Sequence, residues 1–366
     1  MTEKVGTKKS TSRKILDKLM QFHLPIILVL AIVIGIAFPA PGLFLSDTIF
    51  TKFCVFMIFI ISGLRLDISS VKEAMKYWIH FIAGVIFILI VTPVAGYFVL
   101  KIPLEPEELK IGIAVMCCAP TVLASSAILA DQCGGSFPLA LLLSVGTNLL
   151  GVFISPLSVS ILFRSSGFKV QLDVTSLLIE LLLTIALPMV IGYTLQATIP
   201  AVAKFVKKAS NILKVLSSLF LCMVPWVKMS ASRDRLLSLD LLSLLYSLIL
   251  IFVVHYIFLI LTYLLCLVTK TPLPAMKALT LTCSMKTLPI AMTIISFLPE
   301  SMGSQGILLV PAILFHFFQL LNCSFITVKW TPKEVEKKPE GKKEMKVKME
   351  EPHVIPSKTT HPENDH

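Results

Sequence analysis

The sequence predicts an all-α integral membrane protein: ten transmembrane helices in a five-plus-five inverted repeat, with helices four and nine broken and crossing. Three observations carry that expectation. The 366 residues are 55% hydrophobic and only 15% charged, and the mean hydropathy is +0.86, a composition foreign to soluble domains. The apolar residues fall into ten runs, most near the roughly 20 residues that span about 30 Å of hydrocarbon. The fourth and ninth runs carry a proline and small polar residues at mid-span, and the ninth also holds a lysine, Lys286.

In order, the runs cover 24–41, 50–64, 78–100, 111–130, 137–163, 174–197, 212–227, 239–268, 274–297 and 306–328. Together, 21–328 forms the membrane domain, with repeats over 21–165 and 172–328. The basic stretch 1–20 lacks a small-residue cleavage site and reads as a cytosolic leader to a signal anchor. An even number of spans puts both termini on one side. That side collects 24 of the 33 lysines and arginines, the other collects eight, and Lys286 lies within a span. Both termini are therefore expected in the cytosol. The exception is a basic cluster from Lys228 to Arg235, left on the far side.

The stretch 329–366 is rich in Lys, Glu and Pro and is expected to be a disordered cytosolic tail. Its basic run over 333–348 suits either anionic lipid or plain solvation. The net charge of +11 resides in these loops and tails, so the bilayer is the expected partner and nucleic acid is not. Eight scattered cysteines form no CxxC pair, and Cys117-Cys118 reads as core. The Asn322-Cys-Ser sequon lies inside the last run, out of reach of glycosylation.

A charge at membrane depth costs about 3 kcal/mol on insertion scales and persists where it lines a pathway or meets a partner. Three residues beyond Lys286, Pro289 lacks a backbone donor, so the helix is expected to break there. Pro120 does the same in the fourth run. In the charge-derived topology these two runs point in opposite directions, which makes the repeats inverted. Broken helices bring their ends to the midplane, where N-termini favour anions and freed carbonyls favour cations.

Other polar residues within the runs have two readings each. Ser284 and Thr287 either offer hydroxyls to an ion or substrate or satisfy carbonyls freed by Pro289. His316, Gln319 and Asn322 share one helical face, as a cavity lining or as hydrogen bonds between packed spans. Glu180 is the one carboxylate well inside a run and a candidate partner of Lys286. Asp131 and Asp67 read as helix-end and interfacial residues. No nucleophile set, phosphate loop or metal spacing rises above background, so no enzyme, metal site or cofactor is expected.

Three segments carry a resemblance: Cys118-Ala-Pro-Thr-Val-Leu-Ala-Ser-Ser-Ala-Ile-Leu-Ala-Asp-Gln-Cys-Gly-Gly, Thr147-Asn-Leu-Leu-Gly-Val-Phe-Ile-Ser-Pro-Leu and Cys283-Ser-Met-Lys-Thr-Leu. On these the chain resembles the bile acid:sodium symporter superfamily. Within it, the match is to the branch formed by the seventh member of the solute carrier ten family and its fungal and bacterial relatives. The resemblance covers roughly 20–328. It implies a panel of spans one, two, six and seven and a core of the other six. It also implies an ion site at the crossing, carried over here onto Ser125 and Ser126 of span four and Ser144 and Asn148 of span five. The glutamate that sodium-coupled members place on span nine falls near Thr282, and their glutamine falls on Lys286. An oxygen cage without a carboxylate holds sodium more weakly, and an ammonium beside it repels the ion. Lys286 is therefore expected to stand as a fixed cation in place of sodium, to pair with an anionic substrate, or to carry a proton. Sodium stays open as a coupling ion.

The branch implies a role in calcium homeostasis, restraining calcium entry or store filling, with calcium-entry machinery as a partner. It also implies a role in secretory-pathway glycosylation. The expected activity is movement of a small organic or anionic solute rather than bile acids. The plasma membrane, Golgi and endoplasmic reticulum are all open as locations. The alternative is a sodium- or proton-coupled organic anion symporter of the plasma membrane with no calcium role.

Overall fold

The computed structural model describes residues 23–46, 48–66, 75–123, 125–167 and 173–331. The expectations for the leader, for Asp67 and for the tail beyond 331 lie outside the described residues. Among those residues all regular structure is helical: α1 (His23–Ala37), α2 (Pro39–Ser46), α3 (Phe50–Leu64), α4 (Trp78–Leu100), α5 (Glu107–Cys118), α6 (Ser125–Gln132), α7 (Phe137–Ser166), α8 (Val174–Thr198), α9 (Pro200–Lys208), α10 (Ser210–Ala231), α11 (Arg233–Leu237), α12 (Leu241–Val268), α13 (Leu273–Ser284), α14 (Leu288–Ser296) and α15 (Gln305–Trp330). By length and composition seven helices can cross a membrane, counting α13 with α14 as one, and up to eight if α1 and α2 form one bent span.

The first apolar run was expected as one helix over 24–41, but Pro39 ends it. A proline cannot continue the ladder of α1, so the chain turns by 93° and restarts with that proline at the head of α2. Arg233 Nε donates to Ile36 O across 2.8 Å and so caps the end of α1, which gives one member of the basic stretch Lys228–Arg235 a local role.

Within α4, a π-helical turn over Phe87–Val91 sends the Thr92 N–H back to Phe87 O. The next residue, Pro93, has no N–H, so the Ile88 carbonyl is left without a backbone donor. A π-turn over Leu182–Ala186 stands just before Pro188 in α8 in the same way. At the head of α8, Asp173 caps the helix by accepting from the Ser176 hydroxyl (2.5 Å) and N–H (3.1 Å). These bonds hold its carboxyl below the usual carboxylate range.

Two breaks interrupt the core. The first separates α5 from α6, and Ala119 there is extended, as a residue preceding proline must be. The second separates α13 from α14 and consists of Met285, Lys286 and Thr287. The sequence placed a break next to Lys286 on account of Pro289; Lys286 is itself in that break, and Pro289 occupies the first turn of α14, where a missing N–H costs nothing.

The pair α13–α14 lies at the centre of the molecule. Its most apolar window is 94% buried, against 33% for α12, which faces outward with Leu242, Leu245, Ile249 and Val253. Helix α3 packs on α8 through glycines that let the backbones touch. A Cβ on Gly63 would collide with Met189 O, and one on Gly192 with Ile60 O. Gly63→Ala is accordingly expected to destabilise the protein by about 1–3 kcal/mol, visible as a lower thermal midpoint in detergent. An unchanged midpoint would show that the two helices slide apart freely.

Candidate functional site

The two helix breaks meet. The Thr287 N–H donates to Pro120 O at 2.8 Å, and Thr121 Oγ1 donates to Thr282 O at 2.6 Å. Each break thus supplies part of the hydrogen bonding that the other has lost, as any backbone at membrane depth requires.

Lys286 occupies this junction and is fully buried. Its Nζ donates to Ala119 O of the first break (2.8 Å), to Ile88 O (3.0 Å) and to Thr92 Oγ1 (2.6 Å) of α4. The Ile88 carbonyl is the one that Pro93 deprives of a donor, and Thr92 Oγ1 also turns back to it at 2.6 Å. A lysine ammonium has three protons, and all three are used. The Phe258 ring of α12 covers the charge, with its centroid 5.7 Å from Nζ. Glu180 does not reach this site. It pairs with Lys52 of α3, so the pairing with Lys286 that the sequence left open is not made.

The backbone of Lys286 is held as firmly as its side chain. Gln319 of α15 acts as a substitute peptide group: Oε1 accepts the Lys286 N–H at 2.7 Å, and Nε2 donates to Lys286 O at 2.5 Å. His316 Nδ1 lies 3.4 Å from the same carbonyl and 3.1 Å from Gln319 Nε2. Asn322, the third member of this face, instead accepts from the Tyr256 hydroxyl at 2.9 Å. Ser284 turns its hydroxyl back to Leu281 O at 3.1 Å, and Thr287 contributes its N–H as above.

A second polar group lies against the first break. Ser126 Oγ and Ser144 Oγ are 3.0 Å apart. Asn148 Nδ2 donates to Thr121 O and to Ser144 O, both at 2.7 Å. Asn148 Oδ1 and Thr282 Oγ1 are buried with no hydrogen-bond partner, and unsatisfied oxygens in a dry interior are costly. Ser126, Ser144 and Asn148 are therefore brought together. Ser125, on the next face of α6, is only half-buried and is not part of the hydrogen-bonded group.

Sequence reasoning missed three residues here. Thr92 was signalled by the Thr-Pro step inside an apolar run. His255, the one histidine of the 239–268 run, faces Ser284 O through Nδ1 at 3.2 Å. Thr121 had no signal beyond its place next to Pro120. All eight cysteines are buried and free.

The family model described as the SBF-like CPA transporter family matches residues 23–331. The chain belongs to that family. It is a family of membrane transporters, not of enzymes. The probable sodium/metabolite cotransporter BASS4, chloroplastic, of Arabidopsis thaliana is 30% identical over 314 residues, covering 84% of this chain and 72% of that protein. Its counterpart in Oryza sativa subsp. indica is 29% identical over 321 residues, 85% of this chain and 76% of that protein. Sodium/bile acid cotransporter 7 of Xenopus tropicalis is 24% identical over 278 residues, 74% of this chain and 79% of that protein. These matches bear out the resemblance to the bile acid:sodium symporter superfamily. In this member, the matched region contains both helix breaks and Lys286.

Proposed function

We propose that this chain is a secondary transporter that carries a small organic anion across a bilayer, with Lys286 as a permanent positive charge at the crossing of its two broken helices. The observation that carries the reading is the ammonium with all three protons on protein oxygens. No donor remains for a substrate, which favours a fixed cation over direct pairing with the solute. In this reading α3 and the α5–α6 pair also count as spans. That gives ten spans in two inverted repeats within 21–328, with both termini cytosolic.

The unpartnered Asn148 and Thr282 oxygens, with Ser126 and Ser144, form a neutral oxygen set suited to a monovalent cation held weakly. Several relatives are named as sodium cotransporters, and we take sodium as the cargo of that set. Uptake of radiolabelled butyrate, lactate or succinate into proteoliposomes is expected to rise with sodium. Asn148→Ala is expected to lower it about tenfold, the equivalent of roughly 1.4 kcal/mol. Equal uptake when N-methylglucamine replaces sodium would remove sodium from the mechanism and leave a proton as the coupling ion.

The roles in calcium homeostasis and glycosylation, and the assignment to plasma membrane, Golgi or endoplasmic reticulum, rest on the resemblance alone. We place them downstream of solute movement, because calcium prefers six to eight oxygen ligands, several of them charged, and the oxygens at this site are neutral.

A further inference from the structure

Helix α9 has nine residues and joins the end of α8 to the start of α10. At about 1.5 Å per residue it is far too short to cross a bilayer, so it lies at the ends of the two spans that it connects. Val202 and Val206, one turn apart, and Ala209 just beyond them pack on Ile61 of α3 and Leu213 of α10. Lys204, Lys207 and Lys208 are exposed, and so is Phe205. We propose that this exposed face of α9 binds the headgroups of anionic phospholipids, with its three lysines on the phosphates and Phe205 at the acyl boundary.

Charge bias alone accounts for lysines in a connection on the side of the termini. It does not account for large apolar side chains standing open among them. Phe205 is 59% exposed, Ile212 71% and Ile199 41%, on both sides of the three lysines and between them. A helix with one face on the protein and a second that mixes lysines with aromatic and aliphatic residues has the make-up of an interfacial helix. Residues three and four apart on a helix hold their Cβ atoms about 5–6 Å apart, so Lys204 reaches the same phosphates as Lys207 and Lys208. Their aliphatic stems lie along apolar surface while the ammonium groups stay among the headgroups.

Two further cations flank the helix. Half-buried Arg65 caps the C-terminal end of α3, one turn beyond Ile61. Lys214 follows Leu213 on α10 and is close enough to Arg65 to feel its charge, so both widen the positive field at this end. None of the five takes part in an ion pair among the described residues. With the termini in the cytosol, this end meets the cytosolic leaflet, where anionic lipids gather. The small apolar cluster under α9 draws on α3 and α10, neither of which carries a helix break. Lipid held there would anchor that side of the molecule and not the crossing itself.

The test titrates the full chain in non-ionic detergent with phosphatidylglycerol, following the thermal midpoint. Phosphatidylcholine is the zwitterionic control and glycerol 3-phosphate the headgroup alone. Micelles have no sides, so binding is read independently of orientation. Phosphatidylglycerol is expected to raise the midpoint saturably, and the other two are not. Lys204→Gln, Lys207→Gln and Lys208→Gln together are expected to weaken half-saturation roughly a hundredfold, at about fivefold for each lysine. Lys207→Gln alone, about fivefold weaker, decides the matter if the triple variant does not fold. The basic run over 333–348 is the rival surface. A variant with Lys333→Gln, Lys337→Gln, Lys338→Gln, Lys342→Gln and Lys343→Gln is expected to keep wild-type half-saturation. Loss there with a wild-type response in the α9 variants would overturn the proposal, and so would saturation by phosphatidylcholine or by glycerol 3-phosphate. If wild type ignores both lipids while the lipid-free triple variant melts lower, an acidic segment of the chain covers α9 and the proposal falls.

Discussion

Replacing Lys286 by methionine is expected to reduce anion uptake by at least about tenfold and to lower the thermal midpoint. Two effects combine. A fixed charge about 8–10 Å from a passing carboxylate contributes roughly 2 kcal/mol at an effective dielectric near 20, and that attraction disappears. The Ile88 carbonyl still has Thr92 Oγ1, but Ala119 O loses the ammonium that reaches it. One buried carbonyl left without a donor costs about 1–3 kcal/mol. Methionine is close to lysine in volume, so cavity formation adds little. Lys286→Arg separates charge from geometry: it keeps the cation, but a planar guanidinium cannot point three protons at Ile88, Thr92 and Ala119. The arginine variant should therefore fall between methionine and wild type in uptake. A methionine variant that carries and melts like wild type would reduce Lys286 to a bystander.

Gln319→Leu is expected to be more damaging to stability than any other single change at the crossing. Its amide satisfies both the N–H and the carbonyl of Lys286, a residue in a helix break with no turn of its own to supply partners. Removing both bonds leaves the buried Lys286 N–H unsatisfied, at about 1–3 kcal/mol, and leaves its carbonyl only the 3.4 Å contact with His316 Nδ1. The loss should appear as a lower thermal midpoint and as faster amide hydrogen exchange in the peptide containing residues 285–287. Gln319→Glu retains an acceptor for the N–H while losing the donor to the carbonyl, and should lie between the two. If exchange at 285–287 is unchanged in the leucine variant, α15 does not hold the break in place.

The helical content and the special nature of Lys286 were legible because both are written in composition. Apolar runs of membrane length demand internally bonded backbone, and helices provide it. A lysine among Leu, Thr, Met and Ile stands out with no structure at hand, and so do Pro120 and Pro289. The partners were not legible, because they depend on which helices touch. Thr92 and Ile88 lie nearly 200 positions from Lys286, and their availability follows from a π-turn that a Thr-Pro step hints at but does not specify. Glu180 illustrates the converse. Its place in an apolar run made it a tempting partner for Lys286, and only the packing of α8 beside α3 sends it to Lys52. The basic stretch from Lys228 to Arg235 was visible as a violation of charge bias. The role of Arg233 in it needed the α1–α2 bend, where its guanidinium caps a helix.

The most direct test of Lys286 as the fixed cation of a transport site is electrical. Proteoliposomes holding wild type or Lys286→Met would be adsorbed on a solid-supported membrane and exposed to butyrate, lactate and succinate in sodium medium. Wild type is expected to give a saturable charge movement with at least one acid, and the folded methionine variant none. Equal currents from the two proteins, or silence from wild type with all three acids, would contradict the account.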